Sequence, residues 1–271
     1  MIKYRNIAKG GMCDRTFGFT FANAVAQIRK EILAVNWVKS PACPFEFNEI
    51  FDYPDTEVLV NVRNRGDVTL SFNGCWGLPL CSNHKKLYHK YNDLINVSYE
   101  DFCEVHMKCI SELPLKKLSG YYENLHECIG VHFRHTDIRQ LRNFSHDRQT
   151  LFYEGFLQAL LDMNESSYYV CSDNEKSRNA LVVDLRRHGK TVYFNQGVVY
   201  DSSELRQTPV TDVIYDIVSL SKCKTRYGNV TSGITQMSSI MSNTYSLRYY
   251  SQTMGRNHKS FYKNWRNRYE Q

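Results

Sequence analysis

The chain lacks any apolar run approaching the roughly 18 residues that a membrane helix requires, and its mean hydropathy of -0.49 agrees. We therefore expect no membrane span. No apolar segment follows the basic residues of Met1 to Lys9, because Gly10, Gly11, Cys13, Asp14 and Arg15 interrupt it, so no secretory signal peptide is read there. None of the nine cysteines forms a C-x-x-C pair, and several sit inside apolar runs; a zinc ribbon or redox motif is excluded, and reduced thiols in a cytosol-like compartment are expected. The glycine-rich nucleotide signatures are missing as well: no G-x-G-x-x-G follows an early strand and no G-x-x-x-x-G-K-[ST] occurs, which removes the main support for dinucleotide and P-loop sites. No D-x-D stands at a strand end to hold a metal between phosphates. There is no fixed-period repeat and no low-complexity tract.

What is present is enough apolar material, 42% of 271 residues, for one large core or two modest ones. Acid is nearly absent from the last stretch. From Ser221 onward nine Lys/Arg stand against Glu270 alone, giving that tail +8 of a chain whose formal charge is +6 and leaving the remainder at -2. Tyr249, Tyr250, Phe261, Tyr262, Trp265 and Tyr269 are interleaved with the bases. Such a segment suits nucleic acid, or a helix that packs its aromatics on the fold and adds positive potential near an anionic ligand. We take the second reading and expect no nucleic-acid partner.

Helical periodicity begins after Gly10-Gly11. Asp14 reads as an N-cap, and Phe17, Phe21, Val25, Ile28 and Ile32 fall on one face at spacings of three and four. Val58 to Val62 and Val68 to Phe72 read as strands around the turn Asn64-Arg65-Gly66-Asp67, and Ser98 with Asp101 starts a helix that Pro114 ends. Thereafter strands (Cys128–Phe133, Ser167–Cys171, Thr191–Phe194, Thr225–Tyr227) alternate with helices (Asp147–Met163, Asn174–His188, Asp212–Ser221, Ser232–Ser242). That alternation means crossover units on a parallel sheet. We expect an α/β fold of two domains facing across a cleft, 1–118 and 119–271.

In a doubly wound sheet ligands sit at the carboxyl ends of the strands, so the polar residues following each strand carry the chemistry. Those positions are His132-Phe133-Arg134-His135-Thr136-Asp137, Ser172-Asp173-Asn174, Asp216 on its helix, and Asn229-Val230-Thr231-Ser232-Gly233 at a helix start. The last offers backbone N–H groups, two hydroxyls and the positive end of a helix dipole, an arrangement suited to phosphate, although an ordinary N-cap reads the same way. Arg134 would set a guanidinium fork against the same phosphate. His132 reads equally as a buried core histidine, and Asp173 equally as a helix cap. With the other phosphate carriers stripped of their motifs, a sugar nucleotide remains.

Ile129 to Asp137, Tyr169 to Asn174, and Val213 to Cys223 with Gly228 to Gly233 resemble, in order, three signatures of the GT-B fucosyltransferase superfamily. That superfamily joins α1,6-, α1,2- and protein O-fucosyltransferases with the rhizobial nodulation enzyme. Gly10 to Arg15, and Phe45 to Pro54 ending in Ile50-Phe51-Asp52-Tyr53-Pro54, are similar to its N-terminal landmarks. The resemblance implies a GT-B fold of two Rossmann-like domains, the first on the acceptor side and the second binding the nucleotide sugar. It implies an inverting, metal-independent transfer of fucose from GDP-fucose to an oligosaccharide, with no cofactor. By the same resemblance Arg134 holds the β-phosphate and neutralises the leaving diphosphate, Thr231, Ser232 and Gly233 cap the phosphates, and Gly11, Met12 and Cys13 approach from the first domain. His132 and Asp216 would read guanine, and Asp173 would be a nucleotide-side or structural carboxylate. The sequence departs from the α1,6 enzymes where Ile138 and Arg142 replace a lysine and a glutamate used in acceptor activation, so Asp14 and Asp137 are the candidates for a base. Two alternatives keep the residues but change the role: another donor such as xylose or a deoxysugar, and a nucleotide- or glycan-binding module without catalysis. Lacking a leader or anchor, the chain is expected to be a cytoplasmic enzyme of bacterial or viral type.

Overall fold

We describe the chain from a computed structural model covering residues 1–6, 11–41, 43–53, 58–60, 68–72, 82–117, 120, 124–134, 146–196, 208–229, 232–242, 247–251 and 256–259. It divides into two compact units, 1–117 and 118–271.

The first unit is built on β1 (Ile2–Asn6), whose Ile2 and Tyr4 are buried. β2 (Leu33–Asn36) and β4 (Val68–Phe72) flank it and β3 (Val58–Val60) lies outside β2, so the order is β3-β2-β1-β4 with every pairing parallel. The two strands read from the sequence as neighbours around a turn therefore lie on opposite edges of the sheet, separated by β1 and β2; residues 64–67 of that turn are outside the described residues. Parallel strands need a crossover, and α1 (Met12–Arg29) supplies the first. The helix starts at Met12 with Gly11 as its cap, so Asp14 is the third helical residue and not the cap; its Oδ2 accepts the Gly11 N–H at 3.3 Å. Burial extends over nearly the whole circumference from Met12 to Ala26, wider than the single face the spacing suggested, and Ile32 lies beyond the helix and is 46% exposed. A helix covered on all sides must satisfy its polar groups internally: Thr16 Oγ1 donates to Met12 O at 2.9 Å and Thr20 Oγ1 to Thr16 O at 3.0 Å. Lys30, in the left-handed region at φ 54°, stops it. The short helices α2 (Phe47–Ile50), α3 (Ser82–Lys90) and α4 (Asn92–Ile95) precede α5 (Tyr99–Ser111), which packs on α1. Ser98 caps α5 by accepting the Asp101 N–H at 3.1 Å, as its sequence indicates.

In the second unit β5 (Ile129–Phe133), β6 (Ser167–Ser172), β7 (Thr191–Tyr193) and β8 (Thr225–Asn229) alternate with α6 (His146–Leu161), α7 (Glu175–Arg187), α8 (Val210–Lys222) and α9 (Gly233–Met241). The sheet then adds β9 (Leu247–Ser251), parallel to β8, and an antiparallel β10 (Arg256–Lys259), giving the order β10-β9-β8-β5-β6-β7. The basic tail expected as a helix is strand over these two stretches; residues 260–271 are outside the described residues. Alternation along β5 and β6 sorts the core. Ile129, Val131, Phe133, Tyr168 and Val170 pack with Phe156, Leu160, Leu181 and Leu185 on one face, while Tyr169 and Cys171 pack with Leu220 and Cys223 of the α8 side on the other. Gly130 belongs to that second face: a Cβ there would stand 2.8 Å from Leu220 Cδ2.

Candidate functional site

Three of the four parallel crossover strands of the second unit end in residues singled out from the sequence. β5 delivers Arg134, half-buried, as its first residue beyond the strand; β6 delivers Asp173; β8 leads to Ser232, the cap of α9. Thr231 and Asp137, with Ile138 and Arg142, lie outside the described residues. The ring of His132 is buried at 2% exposure on the same face as Gly130. Its partner comes from a hundred residues later: Ser232 Oγ is 2.6 Å from His132 Nδ1, and Thr235 Oγ1 is 3.3 Å from the same nitrogen. Ser232 also accepts the Thr235 N–H at 3.4 Å, so one hydroxyl serves both the ring and the first turn of α9. The start of α9 is thus anchored to the end of β5.

Gly228 permits the approach. It stands opposite His132 in the β5–β8 register, and a Cβ on it would lie 2.5 Å from Thr235 Oγ1 and 3.0 Å from the His132 carbonyl oxygen. A second tie fixes β6 to β5: Ser172 Oγ donates to Phe133 O at 2.5 Å and accepts the Asn174 N–H at 3.1 Å. Asn174, not Asp173, caps α7, its Oδ1 accepting the Ser177 N–H at 2.9 Å. Asp173 is left half-buried in the turn, one position from the residue that locks the carbonyl preceding Arg134. Ser172 and Thr235 stood in the sequence-picked stretches without a role of their own; hydroxyls inside otherwise apolar or capping segments are their signal.

Asp216 lies in the second turn of α8, buried, where Tyr169 OH donates to its Oδ1 at 2.7 Å. Burial raises its carboxyl to about 7; the Tyr169 hydrogen bond pulls it back down, Asp212 one turn earlier pushes it up, and Arg178 pulls it down. Asp212 is itself raised, first by burial, although Asn195 Nδ2 donates to its Oδ1 at 2.9 Å. The buried Arg178 of α7 donates to Asn195 O at 3.1 Å. Asn195 and Arg178 had no motif to mark them, and Tyr169 stood in the second signature only as a strand residue with no role of its own.

In the first unit Met12 and Cys13 are buried and Gly11 and Asp14 half-buried at the start of α1. The same turn is tied down by Arg15, buried, whose guanidinium donates to Val38 O and Ser40 Oγ and lies 5.8 Å from the Trp37 ring centroid. Seven cysteines fall among the described residues, all buried; burial raises the thiols of Cys109 to about 12 and Cys128 to about 11, which keeps them protonated. No group of three or more His, Cys, Asp or Glu side chains among the described residues is arranged to hold a metal ion, and no described helix is long and apolar enough to cross a membrane.

No protein-family model matches the chain, and no curated protein matches it in sequence. Solved structures do. NodZ α-1,6-fucosyltransferase soaked with GDP-fucose, an enzyme whose structure is also known from Bradyrhizobium, superposes with a TM-score of 0.59 at 14% identity, over 96% of this chain and 98% of its own. Arabidopsis thaliana FUT1 in complex with GDP gives 0.54 at 10% identity over 92% of this chain and 69% of that one. POFUT1 in complex with GDP-fucose gives 0.50 at 10% identity, over 89% and 93%. The chain has an α/β fold built on largely parallel sheets, similar to the fold of these fucosyltransferases.

Proposed function

We propose that this chain is an inverting, metal-independent glycosyltransferase that transfers fucose from GDP-fucose to an oligosaccharide. The observation that carries the reading is the joint at the carboxyl edge of the second sheet, where the α9 cap Ser232 is bonded to His132 two residues before Arg134. A helix N-terminus and a guanidinium fixed at one sheet edge are suited to a diphosphate. The solved structures of the same fold were obtained with GDP-fucose or GDP, which supports a guanosine diphosphate sugar as the ligand.

In this reading residues 1–118 take the acceptor and 119–271 the nucleotide sugar. Arg134 neutralises the charge that develops on the leaving diphosphate, the task a divalent cation performs in other transferases, and Thr231, Ser232 and Gly233 contact the same phosphates, Ser232 through its backbone N–H because its hydroxyl is held at His132 Nδ1. Gly11, Met12 and Cys13 close on them from the first domain. Asp173 serves the nucleotide side. Asp216 accepts guanine N1–H and N2–H: the Tyr169 bond occupies one of its roughly four lone-pair positions and leaves the others. His132 supports the base from the strand. Asp14 and Asp137 are the two carboxylates proposed to receive the acceptor proton, and Asp14 already accepts the Gly11 N–H that caps α1.

Isothermal titration of GDP and UDP tests the assignment. Uracil offers one N–H between two carbonyls, so GDP binds at least about tenfold more tightly, the cost of leaving a buried carboxylate without its donors. Asp216→Asn, which turns one acceptor oxygen into a donor, erodes the preference. Equal affinities, or a tighter UDP complex, reject the guanine assignment.

A further inference from the structure

We propose that Tyr169 is a positioning residue of the base-reading site, whose hydroxyl holds and orients the Asp216 carboxylate for guanine. The inference rests on the reading that Asp216 meets the base, and adds the residue that makes it competent to do so.

Tyr169 is fully buried on the face of β6 turned to α8, within the cluster of Cys171, Leu220 and Cys223. Its ring spans the layer between sheet and helix and brings the phenol oxygen 2.7 Å from Asp216 Oδ1. A phenylalanine would fill that space as well; the hydroxyl has the carboxylate as its partner. With Oδ1 fixed by a bond from the strand side, the plane of the carboxylate is set, as a general requirement of preorganised recognition demands.

The surrounding charges decide which protonation state is presented. On α8 itself Asp212 opposes ionisation of Asp216; from α7 Arg178 favours it. Cys171, beside Tyr169 on β6, is held as a neutral thiol by burial and by Asp216. His132 is the ionisable side chain of β5 on this face and is engaged by Ser232, while α9 carries no ionisable side chain. Tyr169 is the largest influence favouring the ionised carboxylate, and burial opposes it with a result near neutrality. A protonated Asp216 keeps one oxygen as an O–H donor, which faces guanine's donors unfavourably. Binding of GDP therefore rides on this one hydroxyl.

The test is GDP and UDP affinity between pH 5.5 and 8.5 for the unmodified protein and for Tyr169→Phe. In the unmodified protein GDP affinity rises with pH through about 7 and levels off, and UDP affinity stays flat. In Tyr169→Phe the midpoint moves upward by about one pH unit or more, so affinity at pH 6.5 falls about tenfold while at pH 8.5 it returns to within about threefold. If Tyr169→Phe does not fold, site-specific 3-fluorotyrosine at position 169 keeps the shape with a stronger donor and moves the midpoint to lower pH. A loss equal at every pH, an unchanged profile in Tyr169→Phe, or an unmoved midpoint with the fluorinated residue overturns the role of Tyr169 alone. A protein that binds GDP no better than UDP overturns the guanine reading and this inference with it.

Discussion

Acid should unlock the first unit through two histidines that never charge while it is folded. Thr20 of α1, His106 of α5, His84 of α3 and Tyr99 of α5 form one buried line: Thr20 Oγ1 to His106 Nε2 2.9 Å, His106 Nδ1 to His84 Nε2 2.9 Å, and His84 Nδ1 to Tyr99 OH 3.0 Å. Thr20 gives its own proton to the Thr16 carbonyl, so it accepts from His106 Nε2–H, and the direction propagates: His84 Nε2–H donates to His106 Nδ1, and the Tyr99 hydroxyl donates to His84 Nδ1. Both rings are neutral in this arrangement. A proton added at His106 Nδ1 would set donor against donor. Burial lowers His84 from 6.5 to about 3, and burial together with His84 lowers His106 well below its ordinary value. The unfolded chain takes up these protons as pH falls below 6.5 while the folded one refuses them, so the stability is fully present above 6.5 and is lost on acidification. At pH 5 each ring costs about 2 kcal/mol, or about 4 kcal/mol for the pair, a large fraction of a domain's stability. Asp216 acts in the opposite sense, since its raised carboxyl binds a proton more readily folded than unfolded below about 7. Comparing the unmodified chain with His84→Leu/His106→Leu cancels that contribution, because Asp216 is common to both. Urea unfolding at pH 7.5 and 5.0 should show the unmodified chain losing about 4 kcal/mol more than the variant. Proton NMR adds a direct reading: of the nine histidines, the rings of His84 and His106 fail to titrate between pH 8 and 4.5. Nine rings titrating near 6.5, with no difference in acid sensitivity between the two proteins, would refute the argument.

Two further outcomes follow from the second unit. Arg134→Ala reduces transfer on the order of a hundredfold or more with the melting temperature unchanged, Arg134→Lys restores little because a point charge does not reproduce the fork, and the unmodified enzyme keeps working in excess EDTA; near-normal turnover in Arg134→Ala, or loss in EDTA reversed by manganese, contradicts the arginine-for-metal role. Gly228→Ala drives a methyl group against Thr235 Oγ1 and the His132 carbonyl, so thermal melting should show a loss of about 1 to 3 kcal/mol together with weaker GDP binding; an unchanged melt means that α9 can withdraw from β8 without cost.

The second unit was legible because its signal is local. Short strand runs of three to six residues alternate with helical periods from Ile129 to Met241, and each element lies within about two residues of its expected place. The first unit was not legible in the same way. Its central strand, Ile2–Asn6, carries Lys3 and Arg5 at a chain terminus and is given meaning only by pairing with Leu33–Asn36 and Val68–Phe72, far away in sequence. Without it, Val58–Val60 and Val68–Phe72 read as each other's partners across a polar turn. Parallel pairing leaves no short-range mark of which strand lies between which, so topology was hidden where the elements themselves were visible. The basic tail failed for a related reason: aromatic and basic residues at mixed spacing suit an amphipathic helix and an edge strand alike, and the open side of β8 decides in favour of strand for Leu247–Ser251.

The site was visible in its residue types but not in its wiring. His132, Asp173, Asp216 and Ser232 were picked as groups that meet a ligand, each with a structural reading beside it. For His132 and Ser232 the structural reading is the one on view: the bond between them is what a buried core histidine and a helix cap require, and it ties a helix N-terminus to the end of β5. A polar group buried at a sheet edge must be satisfied before any ligand arrives, since leaving it bare costs about 1 to 3 kcal/mol. The partners that satisfy it then fix its direction, which is the preorganisation that binding needs. Asp216 shows the same logic with a partner that its motif marked only as strand, because Tyr169 sits at an ordinary core position, where sequence offers an aromatic residue and no sign that its hydroxyl is spoken for. Reading a sequence for chemistry finds the first member of such pairs. The second is found by asking which buried group each one needs.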